Sequence, residues 1–461
     1  MKNPKACSAI LLTLLATGCK VGPNYKRPTV NTPGQYRGAP DLANQAAVPS
    51  LAETQWEDVF KDDELRALIK EALVNNYDMQ IAATRILQAQ DIVGITRANQ
   101  LPSVSGTAGV NYLRNAIVPN GPTIDSIGIQ LNYIADFWGK YRRMTEAARA
   151  QLLATTYGRS VVQTQLISNV ASAYFALRQF DYRLDFSQRA VVADKEGVRI
   201  NTLKYKGGES AITDVYQADL LVQQAEAEVI TAQQGIEQAE NQLSVLLGRN
   251  PGPIGRGLAL NDQPHLPTVP TGLPSTLLER RADVRQSEAT LMSANANVGV
   301  AKAAFFPQIS LTGQFGAAST ALTSFLQGPA TVWQVGGQAL QPLYAGGAIR
   351  SAYKLAWAQR DEAELSYKQT VLNALGDVSN TLVGYSQSRL FRMKIEEQTN
   401  TYAETARLAN VRFINGSTSF LEVLVTQQQY FTSQLSLAVA WNTELQNYVQ
   451  LYQALGGGWN P

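Results

Sequence analysis

Histidine, cysteine and charge are all scarce in this 461-residue chain, which has one His, two Cys and only 16% Asp, Glu, Lys and Arg together. That leaves little material for a His-rich metal centre or a disulfide scaffold. Lys and Arg number 39 against 37 Asp and Glu, so no basic excess is available to neutralise phosphates and a nucleic-acid binder is disfavoured. No GxSxG, P-loop, HExxH or CxxC motif is present, and a lone His offers no general-base arrangement. An enzyme is therefore not expected. Beyond the first twenty residues there is no apolar run of about 18 residues that would cross a bilayer as a helix. The mean hydropathy of −0.15 also excludes a polytopic helical membrane protein. Length alone suggests several domains.

The N-terminus reads as an export signal. Lys2 and Lys5 precede the apolar stretch Ala9-Ile10-Leu11-Leu12-Thr13-Leu14-Leu15, which is too short to span a membrane and is built like a signal peptide. It ends in Leu15-Ala16-Thr17-Gly18-Cys19, which resembles a bacterial lipobox with Ala16 in place of the commoner Leu. Residues 1–18 are expected to be removed and Cys19 to be lipidated. Apart from that covalent lipid no cofactor is expected. Acyl chains contribute about 0.8 kcal/mol per buried CH₂. Cleavage takes away Lys2, Lys5, Cys7 and no acid, leaving 37 charges of each sign and no possible internal disulfide. Residues 19–55, with Pro23, Pro28, Pro33, Pro40 and Pro49, read as a lipid-anchored extended tether.

The rest of the chain is duplicated. An offset of 208 aligns Gly139-Lys140 with Gly347-Ala348, Arg199 with Arg407, Tyr205 with Phe413, Gly208 with Gly416, Asp214 with Glu422 and Val215 with Val423. Upstream, Leu101-Pro102-Ser103 matches Phe306-Pro307-Gln308 at an offset of 205. The first repeat is expected over 56–248 and the second over 277–456, with a Pro- and Gly-rich crossing at 249–276 that carries His265, and a tail at 457–461. Each repeat orders as helix, two strands, very long helix, turn and helix. The first helix is expected from about Asp62 to Ala98. The strand regions, about 101–136 and 306–343, alternate apolar and polar residues with period two. That alternation equally suits a soluble sheet.

The helical hairpins occupy about 140–248 and 347–456. Lys140 to Lys206 holds no Pro, and about 65 residues at 1.5 Å each make a rod of roughly 100 Å. Leu166, Val170, Ala173, Leu177, Phe180 and Leu184 step by 4-3-4-3-4, a coiled-coil seam, and Ile167, Ala171 and Phe175 begin a second. Gly207-Gly208 and Asn415-Gly416 suit helix C-caps. Ser210 or Thr213, and Ser417 or Ser419, are candidate N-caps for the returning helices.

Four amphipathic strands leave open edges, which lipid does not tolerate. The smallest membrane barrels have eight strands, filled by side chains. Three copies give twelve and leave room for a channel. The expected fold class is mainly α with a membrane β-barrel: a homotrimeric, twelve-stranded barrel continued by a periplasmic α-helical barrel. Trp138, Trp333, Tyr133 and Tyr344 are candidates for bilayer interfaces, with core packing as the alternative.

Several motifs then carry a resemblance. Cys19-Lys20-Val21-Gly22-Pro23-Asn24-Tyr25-Lys26-Arg27-Pro28, Asp136-Phe137-Trp138-Gly139-Lys140 and Gly272 to Arg285 (Ala282 standing where Pro is usual) resemble lipoprotein-type outer membrane factors, the NodT-like branch of the TolC-like family. The resemblance implies an outer membrane outlet duct that passively conducts small molecules. It further implies a periplasmic membrane-fusion adaptor and an inner-membrane transporter of the resistance-nodulation-division type as partners. It places a periplasmic gate at the hairpin tips, with Asp214, Glu422, Phe413 and Thr418 as gate candidates. Gly207, Gly208, Gly416, Val215 and Val423 are candidates for the tip turns and for adaptor docking. Phe413 stands where the family has a Tyr, Thr418 at an Arg position and Val425 at a second acidic one, so the usual ionic latch lacks parts. A threefold ring of Glu422 would favour cations; first-turn helix carboxylates are the alternative reading of Glu422 and Asp214. Alternative functions are the outlet of a protein-secretion system and a non-conducting periplasmic coiled-coil scaffold. Five Met and one His disfavour a soft-metal relay.

Overall fold

Asp62 opens the first long element: its buried carboxylate accepts from the amides of Glu64 and Leu65 and N-caps helix α1, Asp63–Asn75. Leu65, Leu68, Ile69 and Ala72 form the buried stripe of that helix, spaced as one helical face requires. The computed structural model describes residues 20–34, 36–37, 51–112, 123–264, 274–320 and 330–459. The signal segment 1–18, Cys19, residues 35 and 38–50 of the tether and His265 lie outside these. After α1 come α2 (Tyr77–Ala98), β1 (Ser103–Tyr112), β2 (Thr123–Ala135), α3 (Lys140–Lys206) and α4 (Ile212–Leu246). The second repeat follows as α5 (Leu277–Arg280), α6 (Ala282–Ala303), β3 (Gln308–Ser319), β4 (Thr331–Leu340), α7 (Ala348–Ile414) and α8 (Phe420–Ala454). Both rods have 67 residues and both returning helices 35. Among the described residues, no helix is long and apolar enough to cross a membrane.

The chain gathers into two units by contact. One comprises Met1–Val30, Thr84–Thr156 and Gln286–Gln369. Its sheet is an antiparallel meander, β1-β2-β3-β4, in which the two repeats meet at the central β2–β3 pair. The register puts Val104, Ala108, Ile127, Ile129, Leu131, Leu311, Phe315, Trp333 and Val335 on one face. Phe315, Trp333 and Val335 on that face are 63%, 73% and 79% exposed. The other face carries Ser, Thr, Asn, Gln and Gly over most of its length. Trp138 stacks on Phe306 at 4.7 Å and its indole donates to the Pro307 carbonyl at 2.8 Å, so it serves packing. Trp333 and Tyr344 are exposed, and Tyr133 is half-buried.

In the same unit Lys20 to Arg27 is extended but firmly held. Arg143, 1% exposed, donates to the carbonyls of Val21 and Gly22, to Asn24 Oδ1 and to both Glu146 oxygens. Buried Glu288 accepts from Arg27 at 2.7 and 2.5 Å and from the Tyr25 hydroxyl at 3.1 Å. Burial and Glu288 both push the Tyr25 phenol up, which keeps it a donor. A Cβ on Gly22 would lie 2.4 Å from the Gly299 Cα. The beginning of the tether is thus a strap built into the fold.

The other unit comprises Asn31–Ala83, Tyr157–Arg285 and Thr370–Pro461. Leu166, Val170, Ala173 and Leu177 of the first seam and Ile167, Ala171 and Phe175 of the second are buried, while Phe180 and Leu184 are half-buried. The expected single helix from Asp62 to Ala98 is broken at Asn76, which is extended, at φ −62° and ψ 132°. Asn76 caps α2 by accepting from the amides of Asp78 and Met79, and donates to the Leu246 carbonyl at 2.9 Å. Gly248, at φ +72°, lies so close to the Asn75 carbonyl that a Cβ would meet it at 2.4 Å. The second repeat builds the same joint: extended Arg281 breaks α5 from α6 and donates to the Ala454 carbonyl, and Gly456 packs on Arg280. Packing of the returning helix, absent from local sequence, interrupts the helix.

Candidate functional site at the hairpin tips

Both tips are chain reversals with the same backbone chemistry. Gly208 (φ +82°) and Gly416 (φ +70°) are in the left-handed region. The Gly208 amide bonds the Tyr205 carbonyl and Glu209 bonds Lys204; Gly416 bonds Phe413 and Ser417 bonds Arg412. This double closure is the Schellman motif, which satisfies the last carbonyls of a helix. Gly207 has no such φ and only continues the helical turn. The expected N-cap is met in position at the second tip, by Ser419, and not at the first, where neither Ser210 nor Thr213 caps. Ala211 caps α4, while Ser419 caps α8 by position without a side-chain hydrogen bond. The Ser210 hydroxyl is buried and unpartnered among the described residues.

An apolar cluster of Ala218, Ala409, Phe420 and Val423 joins the two tips, with Val198, Phe413 and Leu424 packed against it. The Phe413 and Phe420 rings lie 5.4 Å apart. Val423 is inside this cluster, whereas its counterpart in the first repeat, Val215, is half-buried. The polar groups diverge between repeats. At the second tip Arg412 Nη1 lies 2.6 Å from Glu422 Oε1, and the Thr418 hydroxyl donates to Glu422 Oε2. The first-tip counterpart of Arg412 is Lys204, which sits 4.0 Å over the Phe413 ring. Asp214, the counterpart of Glu422, has no side-chain partner among the described residues.

The structure therefore gathers Glu422 and Thr418 in one network and places Phe413 in the adjoining cluster. Asp214 stays apart in the first turn of α4. Sequence reasoning missed Arg412 and Lys204, although a basic last turn facing an acidic first turn across a short loop was a usable signal. Seven residues before each rod end stands an exposed i,i+3 pair, Glu196–Arg199 and Glu404–Arg407, both at 2.7 Å. Such exposed pairs add little stability, so their repetition leaves a matched polar surface. Deeper in the first hairpin, burial raises the Asp194 carboxyl to about 6. Among the described residues no cluster of His, Cys, Asp and Glu is arranged to hold a metal.

An amphipathic four-stranded meander carrying two long, duplicated helical hairpins defines an outer membrane channel of the efflux type. The chain belongs to the outer membrane efflux protein family, whose model matches residues 68–249 and 273–457. It is 32% identical to the solvent efflux pump outer membrane protein SrpC of Pseudomonas putida, over 97% of each chain. It is 29% identical to the cation efflux system protein CusC of Escherichia coli, again over 97% of each. Among solved structures, the open state of the Neisseria gonorrhoeae MtrE outer membrane channel covers 95% of this chain and 98% of its own, with a TM-score of 0.87 at 27% identity. The resemblance to outer membrane factors and the fold class read from sequence are borne out. The protein is an efflux channel of the outer membrane, and its family consists of channels rather than enzymes.

Proposed function

We propose that three copies close a twelve-stranded barrel and conduct small toxic molecules outward, passively, as the outlet of a tripartite pump. A periplasmic membrane-fusion adaptor and an inner-membrane transporter of the resistance-nodulation-division type supply the substrate and the energy. The observation that carries this reading is the sheet: it has an exposed apolar face and two edge strands, β1 and β4, each paired on one side only among the described residues. Unpaired backbone is not tolerated in hydrocarbon. Lipid on Cys19 anchors the chain next to the strap at Lys20. The hairpin tips form the periplasmic entrance, with Glu422, Asp214, Phe413 and Thr418 around it, and the turns at Gly207, Gly208 and Gly416, flanked by Val215 and Val423, meet the adaptor. The relatives named for solvents and for cations agree in export and differ in cargo, so cargo choice is assigned to the transporter. The test is purification in detergent, mass measurement and planar-bilayer recording. A trimer with discrete conductance is expected; a monomer without conductance overturns the proposal.

A further inference from the structure

The polar face of the sheet has a row of amides that local hydrogen bonding leaves free. Cross-strand register places Gln130 opposite Gln314 and Gln314 opposite Gln334, with Ser105 completing the row on β1. All three Gln are exposed, and their side-chain amides make no hydrogen bond among the described residues. Most neighbouring positions on this face are Gly, Ser or Thr, with Asn132 and Val332 the larger exceptions. Above the row lie Thr107, Gly128, Gly316 and Val332; below it lie Ser103, Asn132, Thr312 and Gly336. Their hydroxyls are engaged with the wall itself: Thr107 bonds the Gly128 carbonyl, Ser103 that of Asn132 and Thr312 that of Gly336. At the β2–β3 pair above the row a side chain is blocked, since a Cβ on Gly128 would lie 2.8 Å from the Phe315 carbonyl oxygen. The amides project from a face of the sheet that carries no charge among the described residues.

Amides are costly in hydrocarbon, whereas Phe315 and Trp333 on the opposite face are not. The row therefore points into the barrel, an orientation that rests on the trimeric barrel proposed above. Threefold symmetry repeats it at one depth. We propose that Gln130, Gln314 and Gln334 form an uncharged amide belt inside the barrel, where passing uncharged solutes with hydrogen-bonding groups contact the wall. Each amide both donates and accepts, so the belt discriminates by hydrogen bonding and leaves the sign of ion selectivity to charged groups elsewhere.

The scarcity of cysteine makes the test clean, because Cys7 and Cys19 are the only thiols in the chain. In reconstituted trimers, Gln314→Cys is expected to react with charged, membrane-impermeant thiosulfonates, and Phe315→Cys is not. A negative adduct at 314 should shift the reversal potential in a KCl gradient toward cations and a positive one toward anions, with conductance changing about twofold. The triple variant Gln130→Leu, Gln314→Leu, Gln334→Leu keeps bulk and removes hydrogen bonding. It should slow liposome swelling by uncharged sugars about twofold while leaving the reversal potential unchanged. A conducting channel whose Gln314→Cys adducts alter neither conductance nor reversal potential overturns the belt. An unmodified protein that neither trimerises nor conducts overturns the barrel, and the belt with it.

Discussion

Arg412 and Glu422 meet across the second hairpin tip, with Nη1 2.6 Å from Oε1, and the other Glu422 oxygen is taken by Thr418. Both partners are substantially exposed, at 56% and 37%, so the pair is worth at most about 1 kcal/mol to folding. Its position at the proposed entrance gives it another use. Glu422→Ala is expected to raise single-channel conductance or sensitivity to large antibiotics while leaving thermal stability nearly unchanged. Unaltered conductance in planar bilayers would remove Glu422 from the gate.

The two glycines of the first turn should behave oppositely. Gly208 has φ +82° and Gly207 does not, so Gly208→Ala should cost about 1–2 kcal/mol and Gly207→Ala should be neutral or slightly stabilising. Thermal unfolding of the two variants side by side reads the difference.

The joint at Asn76 offers a stability test far from any gate. Asn76→Ala loses two capping bonds and the bond to the Leu246 carbonyl, an expected loss of about 2 kcal/mol. Gly248→Ala should be worse, because it adds a left-handed backbone to a contact of 2.4 Å. Equal melting temperatures for wild type and Asn76→Ala would mean that the break does not depend on this side chain.

Asp194 makes the helical unit pH-sensitive. Burial raises its carboxyl to about 6, so the folded chain keeps a proton that the unfolded chain releases at lower pH. Stability contributed in this way is present below the unfolded value and is lost as pH rises toward 6. Asp194→Asn should stabilise the protein at pH 7 by about 1–2 kcal/mol after allowance for solvent screening, and should flatten the pH profile between 4 and 6. The urea midpoint measured across that range decides it.

The sequence displayed whatever depends on short-range periodicity. Alternation located the strands, the absence of proline marked the rods, and Gly208 and Gly416 marked their ends. Hidden features were those made by residues distant in the chain. Asn76 breaks a helix because of a carbonyl 170 positions away. Arg143 holds the strap through partners more than a hundred residues off. At the tips the acidic residues were visible from the duplication, but their fates were not. Lys204 chose an aromatic ring and Arg412 a carboxylate, a divergence that only packing decides.

The central β2–β3 pair also carries a consequence beyond one copy. There the second strand of one repeat lies against the first strand of the other, with Ile129 opposite Phe315 and Ile127 opposite Ala317. A β4 strand meeting the β1 of an adjacent copy is the same kind of junction, displaced by 208 and 205 positions. Carrying the pairing across puts Gly337 opposite Val110 and Val335 opposite Tyr112. In the proposed trimer the molecule thus holds, in its own middle, a template for its contact with its neighbours, and six similar modules arise from three chains.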